Sequence, residues 1–153
     1  MSSLISLGLA LVCTLAASSA AQDCPWMNAA TAGGLLGGDV DIRVTKHGDD
    51  ATCVFNKRNT VDRLRIEVTT PSSPKAAITA YKARCVSPAQ PIRAIGNEAL
   101  ACRYVSGAED GELVTGRVRD QVFLIEMRIG PSETLDGRAK AIQAAELVAG
   151  NLF

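Results

Sequence analysis

The amino-acid sequence predicts an α+β fold: two antiparallel three-stranded meanders with helices in the order α-βββ-α-βββ-α, braced by two disulfides. Three observations lead there. Apolar and polar residues alternate through 40–69 and again through 99–129, the period of half-buried strands. A Pro-Ser step follows each block, at Pro71-Ser72 and Pro131-Ser132. The segments beyond carry apolar residues at helical spacing. The chain has 153 residues and is 47% hydrophobic. Residues 22–153 read as a single domain with enough apolar content for a core.

Asp23-Cys24-Pro25 has the form of a helix start, Asp23 as cap and Pro25 in the first turn. This helix runs to about Leu36, where Gly33, Gly34, Gly37 and Gly38 weaken and stop it. Val40 to Val44 alternates as a strand. A tight turn at His47-Gly48 sets Val44 opposite Ala51, Ile42 opposite Cys53 and Val40 opposite Phe55. Asn59-Thr60 turns the chain into 61–69, where Leu64, Ile66 and Val68 face one way and Arg63, Arg65 and Glu67 the other. Ser73 caps a helix that begins at Pro74, with Ile78, Tyr81 and Cys85 on one stripe, and Pro88 and Pro91 close it and its loop. Leu100, Cys102 and Tyr104 share a face of the strand 99–105. A polar loop over 106–111 leads to a hairpin about Asp120-Gln121, with Val118, Gly116 and Val114 opposite Phe123, Ile125 and Met127. Pro131-Ser132 opens the last helix, whose stripe is Leu135, Ala139, Ile142, Ala145, Val148 or Ala149, and Leu152. The similar passages 65–72 and 125–132 raise the possibility of a duplicated βββα unit, and helices packed on one face of the strands complete the layout.

The start of the chain speaks to its compartment. Leu4 to Ala17 is apolar, yet shorter than the roughly 20 residues a membrane span needs. Ser19-Ala20-Ala21 places small residues at −3 and −1 of a cleavage site after Ala21, so residues 1–21 read as a signal peptide. The segment before the apolar stretch carries no Lys or Arg. Cys13 lies inside the stretch behind Val12 rather than behind the small residue a lipidated cysteine requires. The expected product is exported, periplasmic or extracellular, with no transmembrane span after cleavage. Four cysteines then remain, Cys24, Cys53, Cys85 and Cys102. An even count in an oxidising compartment implies two disulfides. Three connectivities are possible; Cys24–Cys53 with Cys85–Cys102 is favoured because each joins neighbouring elements. The absence of any C-x-x-C speaks against a zinc or thioredoxin-type site.

The order of these features has a parallel. A cysteine-initiated helix precedes a meander carrying a second cysteine. Ile95-Gly96-Asn97-Glu98-Ala99 opens the second meander, Val118-Arg119-Asp120 makes a hairpin, and an amphipathic helix ends the chain. This arrangement resembles the exported lipoproteins and sensor-like extracellular domains of actinobacteria, including the extracellular sensor domain of mycobacterial serine/threonine kinases. The resemblance implies an α+β, cleft-bearing, disulfide-containing domain that binds something. It carries over no functional residue, and the sequence departs from many of that group in lacking a lipid-attachment cysteine at the cleavage site.

Residues that carry chemistry are few. Sixteen basic side chains balance sixteen acidic ones, so the electrostatic footprint of a nucleic-acid binder is missing. His47 is the only histidine and falls in a turn; no Gly-x-Ser-x-Gly accompanies it. Asp49/Asp50 and Glu109/Asp110, with Glu112 nearby, fall in expected turns without the spacing of a calcium loop. Gly33-Gly34 and Gly37-Gly38 lack the Gly-Lys-Ser/Thr ending of a phosphate loop. Arg63 and Arg65, with Arg117 and Arg119, fall on polar strand faces and form a candidate basic stripe for an acidic ligand, although Asp62, Glu67 and Glu126 are near enough to pair with them. Trp26, the only tryptophan, is either a core anchor or a ligand-stacking surface. Gly96 with Asn97-Glu98 suggests a backbone requirement. No metal or cofactor is expected. The reading favoured is an exported, non-catalytic binding or sensor-like module for an unknown small ligand. The alternatives are an envelope structural or interaction protein, including an inhibitor of another exported protein, and last a hydrolase.

Overall fold

Every strand among the described residues joins one antiparallel sheet, in a computed structural model that describes residues 23–130 and 136–153. The expected signal peptide, the helix start at Pro131-Ser132 and the stripe position Leu135 lie outside the described residues. The elements are α1 (Ala29–Leu36), β1 (Val40–His47), β2 (Asp50–Lys57), β3 (Arg63–Thr69), α2 (Pro74–Lys82), β4 (Gln90–Ile92), β5 (Glu98–Ser106), β6 (Glu109–Val118), β7 (Gln121–Arg128) and α3 (Gly137–Gly150). The seven strands run in the order β1-β2-β3-β7-β6-β5-β4. The α+β class and both meanders are present, but the meanders are not separate sheets. Their last strands pair, Ile66 opposite Ile125. That pairing satisfies the N–H and C=O groups that two free edges would otherwise expose. The seventh strand, β4, is an addition to the expected layout. It contains Pro91, which lacks a ladder donor, and it sits at the sheet edge where that lack is tolerated.

Both tight hairpins expected from the sequence keep their faces and change register. The first turn is Gly48-Asp49, so Ile42 lies opposite Phe55 and Val44 opposite Cys53. The second is Arg119-Asp120, so Gly116 lies opposite Phe123 and Val114 opposite Ile125. In each case the turn moves by one residue and the pairing by two. A shift of two returns every side chain to its original face, so apolar alternation alone does not distinguish the two registers. At the second turn a tertiary contact selects one: the Asn97 Oδ1 accepts from the Arg119 N–H at 2.7 Å, and Arg119 has a φ of 56°. The loop expected over 106–111 is also corrected. Most of it is strand, since β6 already begins at Glu109 opposite Ser106.

One face of the sheet carries the main core. Cys53, Phe55, Leu64, Ile66, Val68, Val114, Phe123 and Ile125 are buried there beneath α1 and α3. Large apolar side chains of this kind contribute about 1.5–3 kcal/mol each on burial. The helix α3 meets the sheet with Ala141, Ala144, Ala145, Val148 and Ala149, and small side chains let its backbone approach closely. Its stripe is turned relative to expectation, for Ala139 is exposed. The first helix starts later than Asp23. Asn28 is its cap, with its side chain accepting from the Thr31 N–H at 2.8 Å. The Cys24–Cys53 bridge draws the preceding residues onto the sheet, where Cys24, Trp26 and Met27 are buried.

The second helix occupies the opposite face, so the expectation of helices on one side is overturned. On its stripe Ile78 is buried, and Tyr81, continued by Cys85, packs against a smaller apolar cluster of Cys102, Tyr104, Leu113 and Leu124. Those residues point away from the main core and leave α2 a surface of its own to cover. Because α2 and α3 lie on different faces, the two halves do not repeat a βββα unit. The disulfides follow the favoured pairing, Cys24–Cys53 and Cys85–Cys102, with Cα separations of 5.8 and 5.6 Å.

Candidate functional site

The α2 face is only half covered. The helix packs against β6 and β7. Beside it the outward positions of β1 and β2, including Asp41, Arg43, Thr45 and Asn56, are exposed. At the foot of α2, where covered and open halves meet, β3 and β7 place a row of charged residues. Strand alternation puts Arg63, Arg65 and Glu67 on this face, and pairing sets Arg128 opposite Arg63 and Glu126 opposite Arg65.

Glu126 is the anchor. It is 4% exposed and accepts from Arg65 at 2.9 Å and from Arg84, just beyond α2. Glu67 accepts from the Tyr81 hydroxyl at 2.8 Å and from Arg65. Burial opposes the charge on Arg65, but the hydrogen bond and charge of Glu126, with the charge of Glu67, outweigh it and hold the guanidinium above its ordinary pKa. Tyr81 is pushed upward, first by burial and then by its hydrogen bond to Glu67. Thus α2 is fastened to the sheet by charge-assisted hydrogen bonds as well as by the Cys85–Cys102 bridge.

A second group lies one step along the strands. Arg63 donates to Glu109 at 2.6 Å, and Arg128 donates to the other oxygen of the same carboxylate at 2.8 Å. The ring of Tyr104 lies over Gly111, its cross-strand partner. A Cβ at that glycine would sit 3.0 Å from the ring and 2.4 Å from the Met127 carbonyl oxygen, so a side chain there would displace the ring. The Arg84 guanidinium stands 5.7 Å from the ring centroid. The Tyr104 hydroxyl is buried and donates to no acceptor among the described residues, and the neighbouring side-chain donor is Arg63. Burial raises its pKa, the charge of Glu126 raises it further, and Arg63 opposes the shift. The phenol therefore stays protonated at neutral pH, a donor without an acceptor.

The residues singled out from the sequence separate into three places. Arg63 and Arg65 belong to this row. Arg117 and Arg119 do not join it: Arg117 lies at the other end of the sheet, opposite Glu98 in the ladder and 3.1 Å from its carboxylate, and Arg119 occupies a turn. Trp26 is in the main core, 9% exposed, with its carbonyl accepting from Asn151. Arg84, Arg128 and Tyr104 complete the site and were not among the candidates, and Glu109, weighed only as half of a carboxylate pair with Asp110, joins them. Arg128 shares the alternation of Glu126, a signal present in the sequence, whereas Arg84 and Glu109 arrive through the tertiary fold.

Other candidates resolve into structure. Asp62 pairs with Lys57 at 3.2 Å and accepts from the Gly130 N–H at 2.6 Å, holding the entry of β3 to the exit of β7 rather than neutralising an arginine. Glu109 and Asp110 are successive strand residues, so they face opposite sides of the sheet and cannot act as a pair. His47 ends β1 and is exposed. The segments 95–99 and 118–120 clasp each other: Asn97 donates its N–H to the Arg117 carbonyl at 2.7 Å and accepts from Arg119, while Glu98 pairs with Arg117. Their job is to hold a hairpin. Among the described residues no group of three or more His, Cys, Asp and Glu is placed to hold a metal, and no helix is long and apolar enough to cross a membrane. Comparison with protein-family models, with curated proteins and with solved structures finds no match for this chain.

Proposed function

We propose that this protein is an exported, non-catalytic binding module whose ligand is met at the foot of α2, on the half-covered sheet face. The observation that carries the reading is the row itself: Arg63, Arg65, Arg84 and Arg128 with Glu67, Glu109 and Glu126, fixed by mutual ion pairs at the edge of an open surface. Such a row is costly to assemble and is already oriented before any ligand arrives, which lowers the ordering cost of binding. Export is supported by the apolar leader ending in Ser19-Ala20-Ala21 and by the pairing of four cysteines in two disulfides. The resemblance to actinobacterial sensor-like domains points the same way.

Native mass spectrometry of the protein exported by its host, before and after denaturation, tests this. The denatured mass reports the cleavage site and, through a deficit of about 4 Da, the two bridges. A native ion heavier by a small molecule is the expected result. A bare monomeric ion under all conditions counts against it and favours an interaction protein, for which Val86 and Val105, 61% and 48% exposed, offer apolar contacts.

A further inference from the structure

Arg63 and Arg128 are direct cross-strand partners. Like charges placed so repel, and an anion between them is needed to relieve the repulsion. Glu109 supplies it: Arg63 donates to both carboxylate oxygens, at 2.6 and 3.5 Å, and Arg128 donates to the second of them at 2.8 Å. Glu109 is poorly suited to be a permanent part of the structure. It is the first residue of β6, directly after the two-residue turn Gly107-Ala108, and its side chain is about a third exposed. Beside this arrangement is the Tyr104 hydroxyl, buried, protonated and without an acceptor, with its ring laid across the bare Gly111 position. Over the whole row four arginines face three glutamates, so positive charge remains in excess.

We infer that Arg63, Arg128 and the Tyr104 hydroxyl form a carboxylate-binding site that Glu109 fills as an internal stand-in, and that a ligand bearing a free carboxylate enters by displacing Glu109. The inference rests on the binding-module reading and names its ligand class. The template is the carboxylate already there: two guanidiniums engage two oxygens, and the tyrosine hydroxyl supplies a further donor that Glu109 leaves unused. Because Glu109 is tethered at high local concentration, it competes with any free acid. Only a ligand that adds the tyrosine bond or further contacts on the open sheet displaces it.

The test uses Glu109→Gln, which keeps the side-chain size and removes the charge. Its thermal midpoint is measured in sodium acetate and in sodium chloride at equal ionic strength. Acetate is expected to raise the midpoint in a saturable way that chloride does not, with an apparent affinity at least about tenfold above that of the wild type. Adding Tyr104→Phe is expected to lower that affinity several-fold, whereas Tyr104→Phe alone removes a buried hydroxyl that donates to nothing and leaves the midpoint unchanged or higher. Equal response to acetate and chloride overturns the inference, as does an acetate effect that ignores Tyr104→Phe. Should Glu109→Gln not fold, saturation-transfer NMR on acetate with the wild-type chain decides: transfer that is lost in Arg128→Gln supports the site, and no transfer overturns it. The carboxylate can belong to a small acid or to the end of a peptide. A short peptide with a free C-terminus, compared with acetate, separates these two sources, and an amidated peptide that binds as well as the free acid overturns the assignment. A native ligand without a carboxylate, together with no acetate effect, ends this inference while leaving the binding-module reading in place.

Discussion

The two faces of the sheet are secured in opposite ways. On one face, two helices press small and apolar residues against a continuous core from Cys53 to Ile125, and the Cys24–Cys53 bridge lies within it. On the other, a single helix covers a cluster of four buried residues, Cys102, Tyr104, Leu113 and Leu124. There the attachment is a disulfide, the Tyr81–Glu67 hydrogen bond and the Arg84–Glu126 ion pair. The first arrangement is non-directional and insensitive to salt or pH. The second is directional, fastened at a few points and accessible to water along one side. Stability is thus concentrated on the face that carries the main core, and adjustable charge on the face proposed to bind, in keeping with the placement of binding segments in the less stable parts of proteins.

The sharpest way to break this contrast is to empty each core in turn. Phe55→Ala is expected to cost about 3–5 kcal/mol by removing a fully buried ring from the main core. Leu113→Ala on the α2 face is expected to cost about 2–3 kcal/mol, at the lower end of the usual range for leucine because α2 can settle into the space. Urea unfolding monitored through Trp26 measures both; equal losses would mean that α2 is as firmly packed as the other two helices.

The disulfides sharpen the comparison next. The bridges span 29 and 17 residues, so chain entropy gives each about 3–4 kcal/mol and separates them by only about 0.5 kcal/mol. Cys24→Ser with Cys53→Ser is expected to lower global stability and exported yield. Cys85→Ser with Cys102→Ser is expected to lower yield too, and in addition to raise amide exchange across 74–85 ahead of global unfolding. Uniform exchange in the second variant would contradict a separately fastened α2.

Glu126→Gln removes the carboxylate that holds Arg65 and Arg84. Breaking a buried pair by deleting one partner costs roughly 3–5 kcal/mol, but both guanidiniums are about a third exposed, so screening reduces the expected loss to about 2 kcal/mol. The loss should fall further in high salt, unlike that of Phe55→Ala.

The smallest effect concerns alkaline pH. Tyr81 and Tyr104 are the only tyrosines, one on α2 and one on the sheet face it covers, both with raised pKa values, burial being the leading cause in each. A phenol whose folded pKa exceeds its unfolded value contributes stability that is complete below about pH 10 and declines as pH rises above it. Tyrosinate absorbance should therefore appear late and together with loss of α2, and Tyr81→Phe should flatten the decline. Titration of both groups near the ordinary tyrosine value would remove this support for a buried α2 face.

Part of the site was legible before any coordinates. Arg63, Arg65, Glu67 and Glu126 follow from alternation within two strands, as do the partners able to neutralise them. The grouping of Arg63 and Arg65 with Arg117 and Arg119 failed because alternation assigns a face without assigning a position along it. Arg117 shares the face and lies at the far end, engaged with Glu98. Tyr104 was placed correctly beside Cys102, but its isolation in a charged row depends on which strands lie next to β5.

What the sequence by itself determined is local: the strand and helix types of the longer elements, the face each strand residue turns inward, and the cap at Ser73-Pro74, whereas it favoured one disulfide pairing of three without deciding it. These depend on a period of two or 3.6 residues and on the chemistry of individual turn residues. What only the tertiary structure decided is how the pieces meet: the joining of β3 to β7, the hairpin registers, the side of the sheet taken by α2, and the arrival of Glu109 and Arg84 beside the strand arginines. Each of these choices leaves the alternation unchanged, so no pattern in the chain separates them. They are settled by closing free sheet edges, by covering apolar residues on both faces, and by giving buried charges their partners.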